Sequence, residues 1–328
     1  MLSVRIAPTL GALCLIFLFV APAIAQEAED CLSCHGDRDA LSGIPNGERL
    51  FVDPDQYPKS THGAAGLSCI YCHADLFGAE KYPHAKKLKP VNCDRCHKEA
   101  ANHFRSSLHG YALARGNSRA PNCSSCHGNH NILSHTNPES PTHKTRLPET
   151  CAHCHGRAGL LTDQIVKLPE SFRDYEQSVH GQGAKHGVSA AASCDDCHEV
   201  HDLKSVADPN SPINPRNVSK TCGKCHPDIQ REYDRSIHGR ALQAGVMDSP
   251  NCTDCHGEHL ILSPSDPKAK TSAGRLSLET CGKCHDDPII IAKYGLKGGV
   301  VGSYQDSYHG WATRADAGSA ATCIHCHT

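Results

Sequence analysis

The sequence predicts a mostly irregular fold with short α-helices and little or no β-sheet, and three observations lead to this class. Only 5% of the 328 residues are aromatic, so side chains alone cannot build a core of the size that this length requires. The chain also carries 27 glycines and 20 prolines, which interrupt regular elements. Finally, the pentapeptide Cys-x-x-Cys-His occurs ten times and divides the chain into short segments. The fold is therefore predicted to depend on bound groups.

Each pentapeptide has the residues that attach one haem. Its two thiols can add across the vinyl groups of the haem, and the adjacent histidine can ligate the iron from the proximal side. The pattern predicts ten covalently attached haem c groups, whose macrocycles supply the apolar surface that the side chains lack. The predicted attachment residues are Cys31, Cys34, Cys69, Cys72, Cys93, Cys96, Cys123, Cys126, Cys151, Cys154, Cys194, Cys197, Cys222, Cys225, Cys252, Cys255, Cys281, Cys284, Cys323 and Cys326. The predicted proximal ligands are His35, His73, His97, His127, His155, His198, His226, His256, His285 and His327.

Disulfides and zinc sites are the alternatives for these cysteines. Neither explains why a histidine follows the second cysteine in all ten motifs. A second regularity is the residue before each first cysteine, which is always Asp, Asn, Ser or Thr. These types favour helix N-caps, so each motif is predicted to open a short helix.

The N-terminus has the pattern of a secretory signal peptide over residues 1–25. An apolar stretch from Leu10 to Val20 precedes Ala23-Ile24-Ala25, an Ala-x-Ala cleavage site, so the mature chain is predicted to begin at Gln26. Cys14 then belongs to the signal core and is lost on cleavage. An uncleaved anchor helix is the alternative. The signal predicts secretion across the inner membrane to a periplasmic or extracellular location.

The formal net charge of the chain is −2, and two propionates per haem add further negative charge. A protein with this charge is not expected to bind nucleic acid. The one short basic run, Lys86-Lys87-x-Lys89, is predicted to be a solvated face or a propionate contact. Since the predicted core consists of haems, we expect the apoprotein to be unfolded.

Two further histidine elements recur in step with the motifs. A Ser-x-His-Gly element precedes alternate motifs, and a second histidine follows some proximal histidines by three residues. The spacing repeats every two motif pairs, which predicts tetrahaem units at 26–146 and 147–276 and half of a third at 277–328. A further histidine in step would fall beyond Thr328, so we expect the natural protein to continue; a natural terminus here is the alternative.

The recurring histidines are predicted distal ligands, because methionine is nearly absent and Met247 is expected to be an ordinary residue. They are His62, His109, His130, His180, His201, His238, His259 and His309. The second element is missing after His73, and His84 is the predicted distal ligand that replaces it. Which one serves which iron is not readable from the sequence. The histidines outside these patterns are expected on the surface: His103, His135, His143, His153, His186 and His325.

Helices are predicted before three of the Ser-x-His-Gly elements, over Lys98–Leu108, Glu170–Val179 and Pro227–Ile237. Each is expected to end at His-Gly, with the glycine as a left-handed C-cap and the histidine on the last turn. Long loops wrapping haems are predicted over residues 130–150, 203–221 and 260–280.

The repeated Ser-x-His-Gly, Cys-x-x-Cys-His-Gly-x-His and Thr-Cys-x-x-Cys-His pattern resembles bacterial multihaem c-type cytochromes with doubled motifs, related to class III cytochromes c. The resemblance covers nearly the whole mature chain and departs from the pattern at Ala74-Asp75-Leu76. It implies electron transfer in anaerobic respiration, with other redox proteins as partners: membrane quinol-oxidising or outer-surface cytochromes. Membrane contact is expected only through partners or through a further C-terminal segment.

Two other functions remain open at this stage. One is a multihaem reductase of nitrogen or sulfur oxyanions with one open-site haem, for which the Cys323 haem is the candidate because its distal ligand is in doubt. The other is a haem-rich structural subunit of a filament or membrane complex. The residues favour an electron carrier over a catalyst, because bis-histidine haems have no free position for a substrate.

Overall fold

The computed structural model describes residues 27–79, 83–84, 87–156, 168–315 and 320–327. The predicted signal peptide, Cys14, Gln26 and Lys86 of the basic run lie outside these ranges. Within them the chain forms short helices joined by turns, with no β-strand, which confirms the predicted class. None of the described helices has both the length and the apolar character that crossing a bilayer demands.

The chain forms two compact units, of which the smaller comprises residues 1–51 and 67–89. Its described helical segments are Ala28–His35, Arg38–Leu41, Gly47–Leu50, Cys69–Cys72 and Ala74–Leu76. The backbone N–H of Lys89 donates to the Asp75 carboxylate at 2.8 Å, which ties the end of this unit to the turn after His73.

The larger unit comprises residues 52–66 and 90–328. Its described helical segments are Tyr57–Lys59, Thr61–Ala64, Cys93–Arg95, Lys98–Ser106, Leu108–Ala114, Cys123–His127, Leu147–His155, Leu168–Gln177, Val179–Lys185, Cys194–His198, Val218–Gly223, Pro227–Arg235, Ile237–Gln243, Cys252–His256, Ala273–Arg275, Leu276–Cys281, Gly282–His285, Pro288–Tyr294, Val300–Gln305, Tyr308–Arg314 and Cys323–His325. The three helices predicted before Ser-x-His-Gly elements are therefore present, and each ends two residues earlier than predicted.

The predicted role of the His-Gly glycine was wrong. The serine of each element is the N-cap of a second helix, and its hydroxyl accepts a hydrogen bond from the glycine N–H at 3.0–3.1 Å. The histidine therefore lies on the first turn of that new helix, and the glycine is its third residue. The hydroxyl satisfies a backbone donor that a helix start leaves free.

Glycine is needed in this element because two helices meet there at very short range. A Cβ at Gly239 would lie 2.1 Å from the carbonyl oxygen of Tyr233, which belongs to the preceding helix. The equivalent distances at Gly110 and Gly181 are both 1.9 Å. The missing side chain, rather than a left-handed backbone, thus permits the sharp junction.

A repeated tyrosine joins the first of these two helices to the next motif. Tyr175, Tyr233 and Tyr304 each donate the phenol hydrogen to a backbone carbonyl 17 residues later, at 2.9, 2.8 and 3.1 Å. Burial raises the pKa of Tyr175 and Tyr233 to about 12, so both stay protonated donors. The acceptor immediately precedes the N-cap of a Cys-x-x-Cys-His helix, so the contact positions that helix. Phe104 occupies the equivalent place in an earlier repeat.

The side chains buried most completely are small and polar. The largest fully buried ones are serines: Ser60, Ser107, Ser140, Ser178, Ser211 and Ser277. The buried apolar residues include only a few large side chains, such as Leu41, Leu242 and Leu276. The part of the chain that the structure describes therefore has little apolar core of its own, in keeping with its low aromatic content.

Candidate cofactor-binding sites

The ten motifs begin in two different ways. In six motifs the residue before the first cysteine is the N-cap of the motif helix, as predicted: Ser68, Asn92, Asn122, Ser193, Asn251 and Thr322. The other four, Asp30, Thr150, Thr221 and Thr280, lie inside a helix that starts before the motif, so the prediction was wrong for them.

The three internal threonines have a different function. Thr150, Thr221 and Thr280 each donate a hydroxyl hydrogen to a carbonyl 9 or 10 residues earlier, at 2.6, 2.8 and 2.7 Å. Each bond closes the later part of a loop that the sequence predicted, and it holds the motif helix against that loop. A polar residue before the first cysteine is thus used at both kinds of motif, but for a cap in one and for a loop closure in the other.

The structure brings predicted proximal and distal histidines together in seven pairs. Within the smaller unit, the ring centres of His35 and His84 are 5.8 Å apart. Within the larger unit the separations range from 5.9 to 6.3 Å, and the pairs are His62 with His97, His109 with His155, His127 with His201, His180 with His226, His198 with His259, and His238 with His285. Every pair joins one motif histidine to one predicted distal histidine, which belongs to a recurring element in six pairs and is His84 in the seventh.

The narrow range of these separations fits one metal ion between two imidazoles. A metal–imidazole bond is about 2 Å long and the ring centre lies about one bond length further, so two rings on opposite sides of one metal have centres roughly 6 Å apart. The two remaining donors of the motif, its thiols, lie next to the same proximal histidine along the chain. The residues present therefore fit a haem bound through two thioethers and two axial imidazoles.

The pairing connects distant parts of the chain in a regular way. His201 follows His198 by three residues but faces His127, and His259 follows His256 but faces His198. A histidine after one motif thus faces the histidine of an earlier motif.

Backbone hydrogen bonds keep this interleaved arrangement in register within the larger unit. The N–H of Thr61 donates to Ile132 O at 2.7 Å, that of Leu108 to Leu203 O at 2.9 Å, and that of Val179 to Ile261 O at 2.8 Å. In each case the donor follows the capping serine of a Ser-x-His-Gly element, and the acceptor lies shortly after a Cys-x-x-Cys-His-x-x-His segment. Each bond therefore ties a distal histidine to a segment that carries another haem motif.

Successive motifs are neighbours through their thiols. The Cys151 thiol donates a hydrogen bond to Cys194, which raises the pKa of Cys151 and lowers that of Cys194. Cys222 donates to Cys252 with the same effect on the two pKa values. Burial and the neighbouring Cys323 raise the pKa of Cys281 to about 11.

The smaller unit repeats this contact, since burial and the adjacent Cys31 raise the pKa of Cys69 to about 12. Between the pairs, burial and Cys222 raise the pKa of Cys197 to about 11. The attachment points within each unit are therefore close neighbours in chain order.

The environment of the paired histidines favours the neutral imidazole that a metal requires. Burial and the neighbouring His155 lower the pKa of His109, and burial and His259 lower that of His198. His35 places Nδ1 2.9 Å from Leu50 O. With its proton on Nδ1, the ring leaves Nε2 free for the iron.

Not every predicted ligand is paired inside a unit. All 25 histidines fall in the described ranges, and no histidine ring faces His256, His309 or His327 there. His73 and His130 are outside the seven pairs and have interactions of their own.

Two residues that the sequence left open have other partners. The Thr322 N–H donates to His325 Nδ1 at 3.0 Å, which puts the ring proton on Nε2 and leaves no lone pair there for iron. The Met247 sulfur accepts from Arg216 Nε at 3.2 Å.

Sequence reasoning missed the tyrosine contacts and the threonine loop closures. The tyrosines were detectable, because the spacing from tyrosine to the residue before the N-cap repeats at 17. The loop closures were not, because a threonine before a motif is equally suited to be an N-cap.

Comparison with known proteins adds one similarity. The chain is 24% identical over 215 residues to the multiheme cytochrome MtrA of Shewanella baltica (strain OS185). The aligned region covers 61% of this chain and 53% of that protein. The chain thus matches about half the length of that relative. No family model and no solved structure matches the chain. Together with the ten motifs, the similarity supports a multihaem cytochrome.

Proposed function

We propose that this chain is a ten-haem c-type cytochrome that transfers electrons and does not bind a substrate at iron. The observation that carries the proposal is the set of seven proximal–distal histidine pairs, all 5.8–6.3 Å apart. Haem iron with two axial imidazoles supplies one-electron chemistry without an open coordination position. The thiols of each motif hold the haem, and the two imidazoles occupy both axial sites.

We also propose ligands for individual haems from these pairs. We assign His84 to the haem at Cys31, His62 to that at Cys93 and His109 to that at Cys151. The further assignments are His201 to the Cys123 haem, His180 to the Cys222 haem, His259 to the Cys194 haem and His238 to the Cys281 haem. His130 and His309 remain proposed ligands, with no haem assigned to them.

The contacts between successive motifs support a conduit. In the larger unit, thiols of neighbouring motifs hydrogen-bond at Cys151–Cys194 and at Cys222–Cys252, and Cys197 interacts electrostatically with Cys222. Haems attached there would lie in chain order with their edges close together. The rigid caps and tyrosine contacts around each motif would keep these positions fixed during electron transfer. Low reorganisation on transfer is the property expected of an electron carrier.

The predicted signal peptide and the multihaem motif pattern support a cellular role. We propose periplasmic or extracellular electron transfer in anaerobic respiration, after export by the predicted signal peptide, with other redox proteins as donor and acceptor. The tetrahaem units at 26–146 and 147–276, with half a unit at 277–328, are part of this proposal.

A reductase with an open-site haem is the second candidate, because no histidine ring faces His256 or His327 in the described chain. Quantitative low-temperature EPR of the ferric, haem-loaded protein separates the two functions. The carrier predicts low-spin iron at the seven paired sites and no change on adding nitrite or hydroxylamine. High-spin iron at most sites would refute the carrier, and a high-spin minority that changes with substrate would favour the reductase. Haem content by pyridine haemochrome, with the protein mass, tests the count of ten.

A further inference from the structure

Glu199 has a backbone conformation that the other repeats reserve for glycine. It has φ 63° and ψ 178°, immediately after His198. At the equivalent place after His127 and His256 stand Gly128, with φ 78° and ψ −170°, and Gly257, with φ 91° and ψ 170°. This region of backbone space is open to glycine and strained for any residue with a Cβ.

The conformation itself is required by the local hydrogen bonding. The N–H of Glu199 donates to Asp195 O at 2.9 Å, as Gly128 does to Ser124 O and Gly257 to Thr253 O at 3.0 and 2.9 Å. The only other non-glycine residue with positive φ in the described chain is Asn46, whose ψ of 26° lies in the left-handed helical region that asparagine tolerates. Glu199 is therefore the one strongly unfavourable choice, and glycine would remove the strain.

The Glu199 carboxylate forms no ion pair with a described residue that would offset this strain. Glu199 is exposed and takes part in none of the ion pairs formed by the described residues. It lines an open polar cleft of about 330 Å³ whose other charged residues are Lys220 and Lys224. What the side chain adds to the repeat is thus a negative charge directly beside the proximal ligand.

We propose that Glu199 places a negative charge that lowers the reduction potential of the haem at Cys194 below that of its counterparts at Cys123 and Cys252. This inference rests on the proposed haem binding. The ferric haem carries one more positive charge than the ferrous haem, so a nearby carboxylate stabilises the oxidised state. Lys220 and Lys224 in the cleft, and Lys204, which interacts electrostatically with Glu199, reduce the size of this effect.

Two substitutions separate charge from strain. Glu199→Gln keeps the side chain and the strained backbone but removes the charge, whereas Glu199→Gly removes both. In a potentiometric titration of the haem-loaded protein, both variants should raise the potential of one haem in about ten. The shift should shrink at high ionic strength, because the charge is exposed. Only Glu199→Gly should also raise the thermal unfolding temperature.

The reciprocal variant Gly128→Glu serves as a matched gain of charge. A Cβ there would meet only the Asn131 side chain, at 3.2 Å, so the substitution is sterically accessible. It should lower the potential of one haem and reduce stability. If Glu199→Gln leaves the titration unchanged while haem content stays at ten, the charge-placing role is wrong and haem binding stands. If haem content itself is far below ten, the proposed function fails.

Discussion

The assignment of His201 to the haem at Cys123 makes a prediction that sequence proximity would not make. His201 lies three residues after His198, yet its ring centre is 6.0 Å from that of His127. Replacing His201 with alanine should therefore leave the iron at His127 five-coordinate. Since the chain has ten motifs, about one tenth of the ferric iron should become high-spin in the EPR spectrum. Added imidazole should restore the low-spin signal.

Haem-deletion backgrounds identify which iron responds. In a protein with Cys123 and Cys126 changed to alanine, the His201→Ala substitution should add no further high-spin iron, because the affected haem is already missing. In a protein that lacks Cys194 and Cys197 instead, the same substitution should still add it. This is the logic of a double-mutant cycle, in which only groups that share a site couple.

The opposite pattern would refute the interleaved pairing. If the His201 effect disappeared in the background without Cys194 and Cys197, the histidine would serve its own motif. His259→Ala is the matched control, because its ring centre is 6.0 Å from that of His198. It should couple to Cys194 and Cys197, and not to Cys123 and Cys126.

Three further predictions concern stability. Gly239→Ala should lower the free energy of unfolding by about 1–3 kcal/mol, because its Cβ would lie 2.1 Å from a carbonyl oxygen. Gly274→Ala is the control, because its Cβ would have open space around it and should cause no such loss. Guanidinium unfolding compares the two variants, and equal effects would contradict the close-approach argument. Tyr233→Phe should lower the free energy of unfolding by about 1 kcal/mol, because it removes a 2.8 Å hydrogen bond. Phe104→Tyr should raise the free energy of unfolding if the same geometry is present in its repeat. The unfolding midpoints of both variants test this. In the haem-loaded protein His198 must stay neutral to ligate iron, and burial also lowers its pKa, so the unfolded chain binds more protons below pH 6.5. Stability should therefore fall as pH drops from 7 to 5, and an unfolding midpoint that rises on acidification would reverse the sign.

Much of the local structure could be predicted from the sequence. The helices over Lys98–Ser106 and Pro227–Arg235 follow from an apolar stripe, and the second from a proline at its start. Six of the ten motif N-caps followed from residue type alone. These features depend on groups within a few residues of each other, so their physics is contained in the local sequence.

The errors have a common cause. Glycine in Ser-x-His-Gly was predicted as a left-handed C-cap, because glycine after a helix usually has that role. The structure needs it instead for the close approach of the Tyr233 carbonyl to Gly239. Likewise, Thr150 donates to the carbonyl of Pro141, and residue type cannot distinguish this bond from a cap. Both roles depend on a neighbour whose position the local sequence does not specify.

The sequence by itself determined which residues are able to attach haem, because the two thiols and the proximal imidazole lie within one pentapeptide and need no other part of the chain. Only the tertiary structure decided which distal histidine faces which motif. His127 and His201 meet because backbone bonds such as that from Leu108 to Leu203 set the register between remote segments. A second axial ligand can come from any segment that reaches the iron, so its identity depends on packing rather than on spacing along the chain.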